Sequence, residues 1–277
     1  MDASLLKPVM PKEHGVWVIA FVPLLTALAI SFPGSGQSMA PLVWFCSAVL
    51  FFFMSFTPFV NLMKKSGRGR HFTVADRNFL WASIYLSFST LFFIHLLHAF
   101  RLWPLLLFLV PIGGIYSYYC HLLRQGENRD NLVMDILGAM GLCLVAPMVY
   151  YVATRRWDTP ALMIYLINLG FFSTRIIFAK QMINLKEDDP VLVDFKSRRK
   201  YLRNVSILNV VIIHLLVLFS ILKMIPAAAV TSLLPGSIYT WKQIFSLKKK
   251  PSIRNVGFKE MGVAFCFCAA LIYAYHH

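Results

Sequence analysis

Nine apolar runs follow one another along the chain, each near the length that crosses a bilayer as a helix. They fall at 14–32, 40–63, 78–98, 102–121, 131–153, 160–183, 201–223, 225–247 and 255–275. A helix rises about 1.5 Å per residue, so roughly 20 residues span the hydrocarbon of a membrane. No water is available there to satisfy the backbone, so segments of this kind cross as helices that bond internally. Composition points the same way. With 58% hydrophobic and 14% charged residues, and a mean hydropathy of +0.65, too little polar surface remains to clothe a soluble domain. The expected fold is all-α, a polytopic transmembrane domain of about nine helices over residues 1–277. Arg101 and Pro104 divide the third run from the fourth; Lys223 and Pro226 divide the seventh from the eighth. Met1–Glu13 is polar and lacks a small-residue cleavage pattern, so the first run is expected to stay as a helix.

The cations sort by position. Of the 27 Lys and Arg, 22 lie at the N-terminus or around the gaps after the second, fourth, sixth and eighth runs. Four lie in the other gaps (Arg101, Arg155, Arg156 and Lys223), and Arg175 sits deep within the sixth run. The positive-inside rule then puts the N-terminus in the cytoplasm and the C-terminus outside a bacterial inner membrane. Topology and attraction to anionic phospholipid headgroups account for the +15 formal net charge. There is no sign of a nucleic-acid module. The two longest polar stretches, 64–77 (KKSGRGRHFTVADR) and 184–200 (NLKEDDPVLVDFKSRRK), become cytoplasmic loops. Four runs separate them, an interval that suggests two similar halves. The five cysteines lie in or beside apolar runs, and a helix puts Cys266 and Cys268 on different faces. They read as packing residues.

A charge inside a span costs about 2.5–3.5 kcal/mol at its centre and needs a partner or water. Arg175 lies about 12 Å deep by helical rise. Asp135, one turn into the fifth run, is the acid we expect to face it; such a pair can also do no more than fix helix packing. Thr57 and Asn61 stack on one helical face with Lys64 or Lys65, and Lys180 stacks on Asn184, with Asp188 a turn later. His14 opens the first run beside Gly15. Its titration range suits proton transfer, and a hydrogen-bonded structural histidine is the plainer reading. His214 is expected as a satisfied core histidine, and His95, His98, His276 and His277 lie near the other face.

The opening MPKEHGVWVIAFVPLL resembles that of the bacterial membrane-protein family labelled YwiC-like, as do NLVMDILGAMGLCL and RIIFAKQMI further on. The layout of nine helices, with large loops after the second and sixth, also resembles the UbiA-type intramembrane prenyltransferases. There, Asp-rich loops hold Mg²⁺, and Mg²⁺ holds the diphosphate of an isoprenyl donor, neutralising the leaving group. The stretch NLKEDDPVLVDFKS resembles the second such loop, with Asn184 and Asp188 at the spacing of its metal ligands. SIRNVGFKEMG is similar to the start of that superfamily's last helix. The first Asp motif, laid on Asn61, falls on Asn61, Leu62, Lys65 and Gly69, so its carboxylates are replaced. The resemblance then implies that His14, Asn61, Lys64, Lys65 and Arg68 hold the anionic head of a lipid or isoprenoid. Asn184 and Asp188 hold any Mg²⁺. Arg175 and Lys180 stabilise the leaving group, and Asp135 positions Arg175 or acts as a base. The alternative is a lipid or small-anion transporter, or an assembly factor for a membrane complex.

Overall fold

The computed structural model describes residues 7–11, 14–31, 38–67, 76–125, 131–186 and 189–277, without the side chains of 14, 66 and 67. The described residues are helical, with no strand. In chain order the helices are α1 (His14–Ser31), α2 (Ala40–Gly67), α3 (Arg77–Phe100), α4 (Leu109–Arg124), α5 (Leu132–Cys143) and α6 (Val145–Thr154). There follow α7 (Thr159–Asn184), α8 (Phe195–Tyr201), α9 (Arg203–Ile221), α10 (Leu234–Ser246) and α11 (Ile253–His276). Among the described residues seven segments are long and apolar enough to cross a membrane: Ala40–Lys65, Arg77–Phe100, Trp103–Arg124, Leu132–Thr154, Thr159–Asn184, Arg203–Ile221 and Ile253–His276. The other two of the nine expected runs are helical but shorter. α1 is apolar over Gly15–Ser31, and the run around α10 begins as a 3₁₀ stretch, Ala227–Leu233.

Successive spans run antiparallel, and their two ends are finished differently. At the cation-rich end four helices start on side-chain caps. Asp76 accepts from Asn78 N, Asn131 from Val133 N, Asp194 from Ser197 N and Ser252 from Asn255 N. Each satisfies a backbone N–H left without an intrahelical partner. At the opposite end helices stop on left-handed residues: Arg101 (φ 53°), Arg155 (φ 59°) and Lys223 (φ 57°). Glycine is the usual occupant of such positions, and a side chain there costs about 1–2 kcal/mol. A cation at a helix C-terminus interacts favourably with the helix dipole, and Arg155 Nη1 also donates to Phe100 O at 2.8 Å. Three of the four cations at this end are therefore helix stops.

Two corners repeat across the four-run interval. After α3, Arg101 turns the chain, Pro104 follows three residues on, and a 3₁₀ stretch (Trp103–Phe108) leads into α4. After α9, Lys223 turns it, Pro226 follows three residues on, and Ala227–Leu233 leads into α10. Runs of 3₁₀ longer than three or four residues are uncommon, and here one follows each of these two corners.

α1 stands in the middle, packed on α5, α6, α7 and α11, while α7 touches α5, α6, α9, α10 and α11. α2 and α3 form an antiparallel pair. The core between α7 and α11 includes Ile167, Phe171, Phe172, Phe267 and Leu271, with Phe171 and Phe267 stacked at 3.9 Å. Outside, Leu107, Val110, Val211, Ile221, Phe245 and Tyr273 are exposed. That is far more apolar surface than water tolerates and is what lipid covers.

Candidate functional site

α7 carries two cations five residues apart, about 140° around the helix at 3.6 residues per turn. They face opposite ways. Arg175 turns towards α10 and α11. Its Nε and Nη2 donate to Glu260 Oε2 and Oε1 at 2.7 and 2.6 Å. Nη1 donates to Gly236 O at 3.0 Å and to Thr240 Oγ1 at 2.8 Å. The guanidinium lies 4.4 Å from the Phe178 ring centre and 5.6 Å from that of Tyr239. A forked guanidinium matched by a carboxylate in this way is the strongest form of ion pair. Arg175 does not meet Asp135 as the sequence led us to expect. Its face of α7 looks away from α5, and Glu260 supplies the countercharge at the same depth.

Lys180, on the other face, bonds Asp135 Oδ2 at 2.7 Å and so ties α7 to α5. This pair is half-open, with side-chain exposures of 22% and 35%, against 5% and 15% for Arg175 and Glu260. Gly138, one turn after Asp135, borders open space.

A third pair closes the cation-rich end of α2 on the start of α3. Lys65 bonds Asp76, and one turn back Asn61 Nδ2 donates to Asn78 Oδ1 at 3.2 Å. Asn78 in turn donates to Asp76 Oδ1 through its backbone N–H at 2.9 Å and through Nδ2 at 3.2 Å. Burial alone would raise the Asp76 carboxyl, but the Lys65 ammonium and the two Asn78 bonds hold it below its ordinary value. Lys64 is partly buried beside this group. The Asn61–Lys65 stacking is as its spacing implies, and Asp76 and Asn78 complete the network.

The second loop is held by its own charges. Asp189 caps a short 3₁₀ turn by accepting from Val191 N at 3.0 Å. Asp194 caps α8, and the Ser197 N–H and hydroxyl keep its carboxyl below the ordinary value. Arg198 is buried. It donates to the carbonyls of Ile244 and Leu247 at the end of α10 at 2.9 Å each, and to Leu192 O at 3.1 Å. Asn184 is exposed at the last turn of α7. Asp188 and Arg68 lie outside the described residues, as does the side chain of His14 at the start of α1. Among the described residues no group of three or more His, Cys, Asp or Glu gathers at metal-binding distance. Of the positions of the first Asp motif, Leu62 is buried and Lys65 is paired with Asp76. His214 is not in the core: it is exposed, and its Nδ1 lies 2.7 Å from the carbonyl of Val210 one turn back. Cys143 and Cys268 are buried and Cys266 is exposed.

Glu260 is the residue that reading the sequence passed over. It lies seven residues past the start of α11, as Arg175 lies nine before the end of α7, so equal depth was the available signal. Asp76 and Asn78 sat in the 64–77 loop and the first turn after it, where capping chemistry was the clue.

Apolar helices of spanning length, ion pairs drawn inside or to one end, and an apolar exterior define a polytopic helical membrane protein. A family model described as YwiC-like protein matches residues 10–150, half of the chain, and the chain belongs to that family. The match takes in Asn61, Lys65, Asp76 and Asp135; α7 to α11 follow it. No curated protein and no solved structure matches the chain.

Proposed function

We propose that this YwiC-like protein binds an amphiphile with an anionic head at its cation-rich end and acts on it in the manner of a UbiA-type prenyltransferase. The observation that supports this most is the pair of partly exposed lysine–carboxylate bridges, Lys180–Asp135 and Lys65–Asp76. An ammonium held by a carboxylate at the surface can exchange that partner for a phosphate at little net cost, because exposed bridges are worth only about 0–1 kcal/mol. Asp135 and Asp76 aim the two lysines. Asn61 adds an amide, and Lys64 and Arg68 add charge. The apolar tail lies against Phe56, Met63, Tyr119 and Leu137, which are only partly buried around α2, α4 and α5.

In this reading Arg175 is a positioning residue rather than a leaving-group binder, because it is buried and four of its five N–H donors are already engaged. Asn184 and Asp188 are the pair to hold a Mg²⁺ ion, which would neutralise charge on a departing diphosphate. Two ligands of that kind leave the remaining positions of an octahedral ion to water and substrate. His14, at the start of central α1, is the group for proton transfer. We place the N-terminus and both long loops in the cytoplasm of a bacterial inner membrane, with nine crossings.

The test is binding and turnover of farnesyl diphosphate by the purified protein, with and without Mg²⁺. Native mass spectrometry reads the bound lipid and diphosphate release reads the reaction. Wild type should bind and release diphosphate, and Lys65→Ala and Lys180→Ala should each lower both at least tenfold. A wild-type protein that neither binds nor turns over the probe ends the reading.

One observation favours transport instead. The matched 3₁₀ stretches before α4 and α10 are discontinuities at corresponding places in two halves, a pattern found in secondary transporters. Anion efflux from proteoliposomes, abolished when both stretches are regularised, would select that reading.

A further inference from the structure

α10 and α11 run antiparallel and leave between them a groove of about 430 Å³. Its walls are two helical stripes. On α10 they are Pro235, Tyr239 and Lys242 with Gln243; on α11 they are Lys259, Gly262, Val263 and Cys266. These spacings of three, four and seven put each set on one face. Because the helices are antiparallel, Lys242 and Lys259 both lie at the cation-rich end, while Pro235 and Cys266 lie about 10 Å deeper by helical rise. The groove is therefore graded along its length. Two exposed ammonium groups and an amide stand at the mouth, and apolar or small side chains line the depth. Gly262 contributes to the opening, since a side chain there would meet nothing within 4 Å. The flanks are Ile238, Trp241, Phe258 and Phe265, all exposed. Such flanks face hydrocarbon, so the occupant comes from the bilayer rather than from water.

We propose that this groove seats an anionic phospholipid, its phosphate between Lys242 and Lys259 and one acyl chain along Gly262, Val263 and Cys266. Charge complementarity selects the head: two ammonium groups near the membrane surface attract a lipid of net negative charge and gain little from a zwitterion. The site is separate from the paired lysines of α2 and α7. It shares one wall with the interior, because Tyr239 lines the groove on one side and lies over Arg175 on the other. A lipid in the groove thus braces α10 against α11 on the flank opposite the Arg175–Glu260 bridge.

Native mass spectrometry of the full chain tests this after exchange into phosphatidylglycerol or phosphatidylcholine, alongside thermal unfolding in each lipid. Wild type should retain phosphatidylglycerol, release phosphatidylcholine, and unfold at a higher temperature in the first. The double variant Lys242→Gln/Lys259→Gln removes the charge from two exposed positions. Gly262→Phe fills the groove where space is open. Each should retain phosphatidylglycerol at least tenfold less and lose the thermal difference, while unfolding in phosphatidylcholine stays that of wild type. Equal retention of the two lipids by wild type overturns the proposal, as does undiminished retention by both variants. Displacement of the bound lipid by millimolar inorganic phosphate would also overturn it, since the groove would then be a site for a soluble anion.

Discussion

Arg175 and Lys180 stand on one helix, five residues apart, and do opposite things with the same sign of charge. Arg175 is enclosed. A bidentate carboxylate, a hydroxyl and a backbone carbonyl take up its donors, and an aromatic ring lies on its face. Lys180 meets the Asp135 carboxylate of α5 at a more exposed place. The first arrangement uses four of the five N–H donors and locks α7 to α10 and α11. The second leaves the pair within reach of solvent. Burial, not charge, separates a bolt from a binding group. A cation deep in a membrane helix marks a functional place by default; here the depth of Arg175 marks structure, and the shallower Lys180 is the better candidate for a ligand.

Breaking the enclosed pair should have the largest effect. Glu260→Ala leaves a buried guanidinium without its countercharge, and removal of one partner from such a pair costs about 3–5 kcal/mol. Chemical unfolding in detergent measures it. The paired replacement Arg175→Leu/Glu260→Leu should recover much of that loss, because neither charge is then stranded. If the double variant is as unstable as the single one, the two residues are not coupled. Next is Arg198, a second buried cation, whose hydrogen bonds among the described residues go to backbone carbonyls. Arg198→Met strands the acceptors at the end of α10 and should cost about 2–3 kcal/mol, with faster proteolysis of the 184–200 loop as the local readout.

Lys180→Met carries the comparison to the exposed pair. Its stability cost should stay below about 1 kcal/mol, while affinity for farnesyl diphosphate falls at least tenfold. The reverse outcome, large instability with unchanged affinity, would make Lys180 a bolt like Arg175. Asp135→Asn should keep the protein folded and lower affinity less, since it loosens the lysine without removing it.

The sequence carried seven of its nine expected runs as helices of spanning length, because length and hydropathy alone determine where a helix can cross lipid. It carried the Asn61–Lys65 face through helical spacing. It did not carry the partner of Arg175. Asp135 and Glu260 both lie in apolar runs near the cation-rich end, and choosing between them needs the rotation of α7 about its axis, which packing sets. Nor did it carry the purpose of Arg101, Arg155 and Lys223. As minority cations they read as exceptions to a topology rule, yet each ends a helix in a left-handed conformation. His214 was misplaced for a related reason: an apolar helix has no polar face to tell its lipid side from its core side, and the ring is satisfied by its own helix.

The third pair, Lys65–Asp76, combines the two extremes, with a lysine 43% exposed and a carboxylate 11% exposed. It gives the smallest effect and the most selective one, because it titrates. The Asp76 carboxyl sits below its ordinary value in the folded protein, so its contribution is complete above the unfolded value of about 3.9. It is lost as pH falls through the lowered folded value, because the unfolded chain takes up the proton first. Unfolding followed from pH 6 downwards should show this loss in wild type, and Asp76→Asn should be less stable at pH 6 and lack the Asp76 part of the slope. Lys65→Met should lessen the acid dependence without abolishing it, since the bonds from Asn78 remain. A wild-type and an Asp76→Asn protein with parallel pH profiles would mean that the bridge contributes nothing to folding. Lys65 would then be still easier to draw away to an anionic head than Lys180.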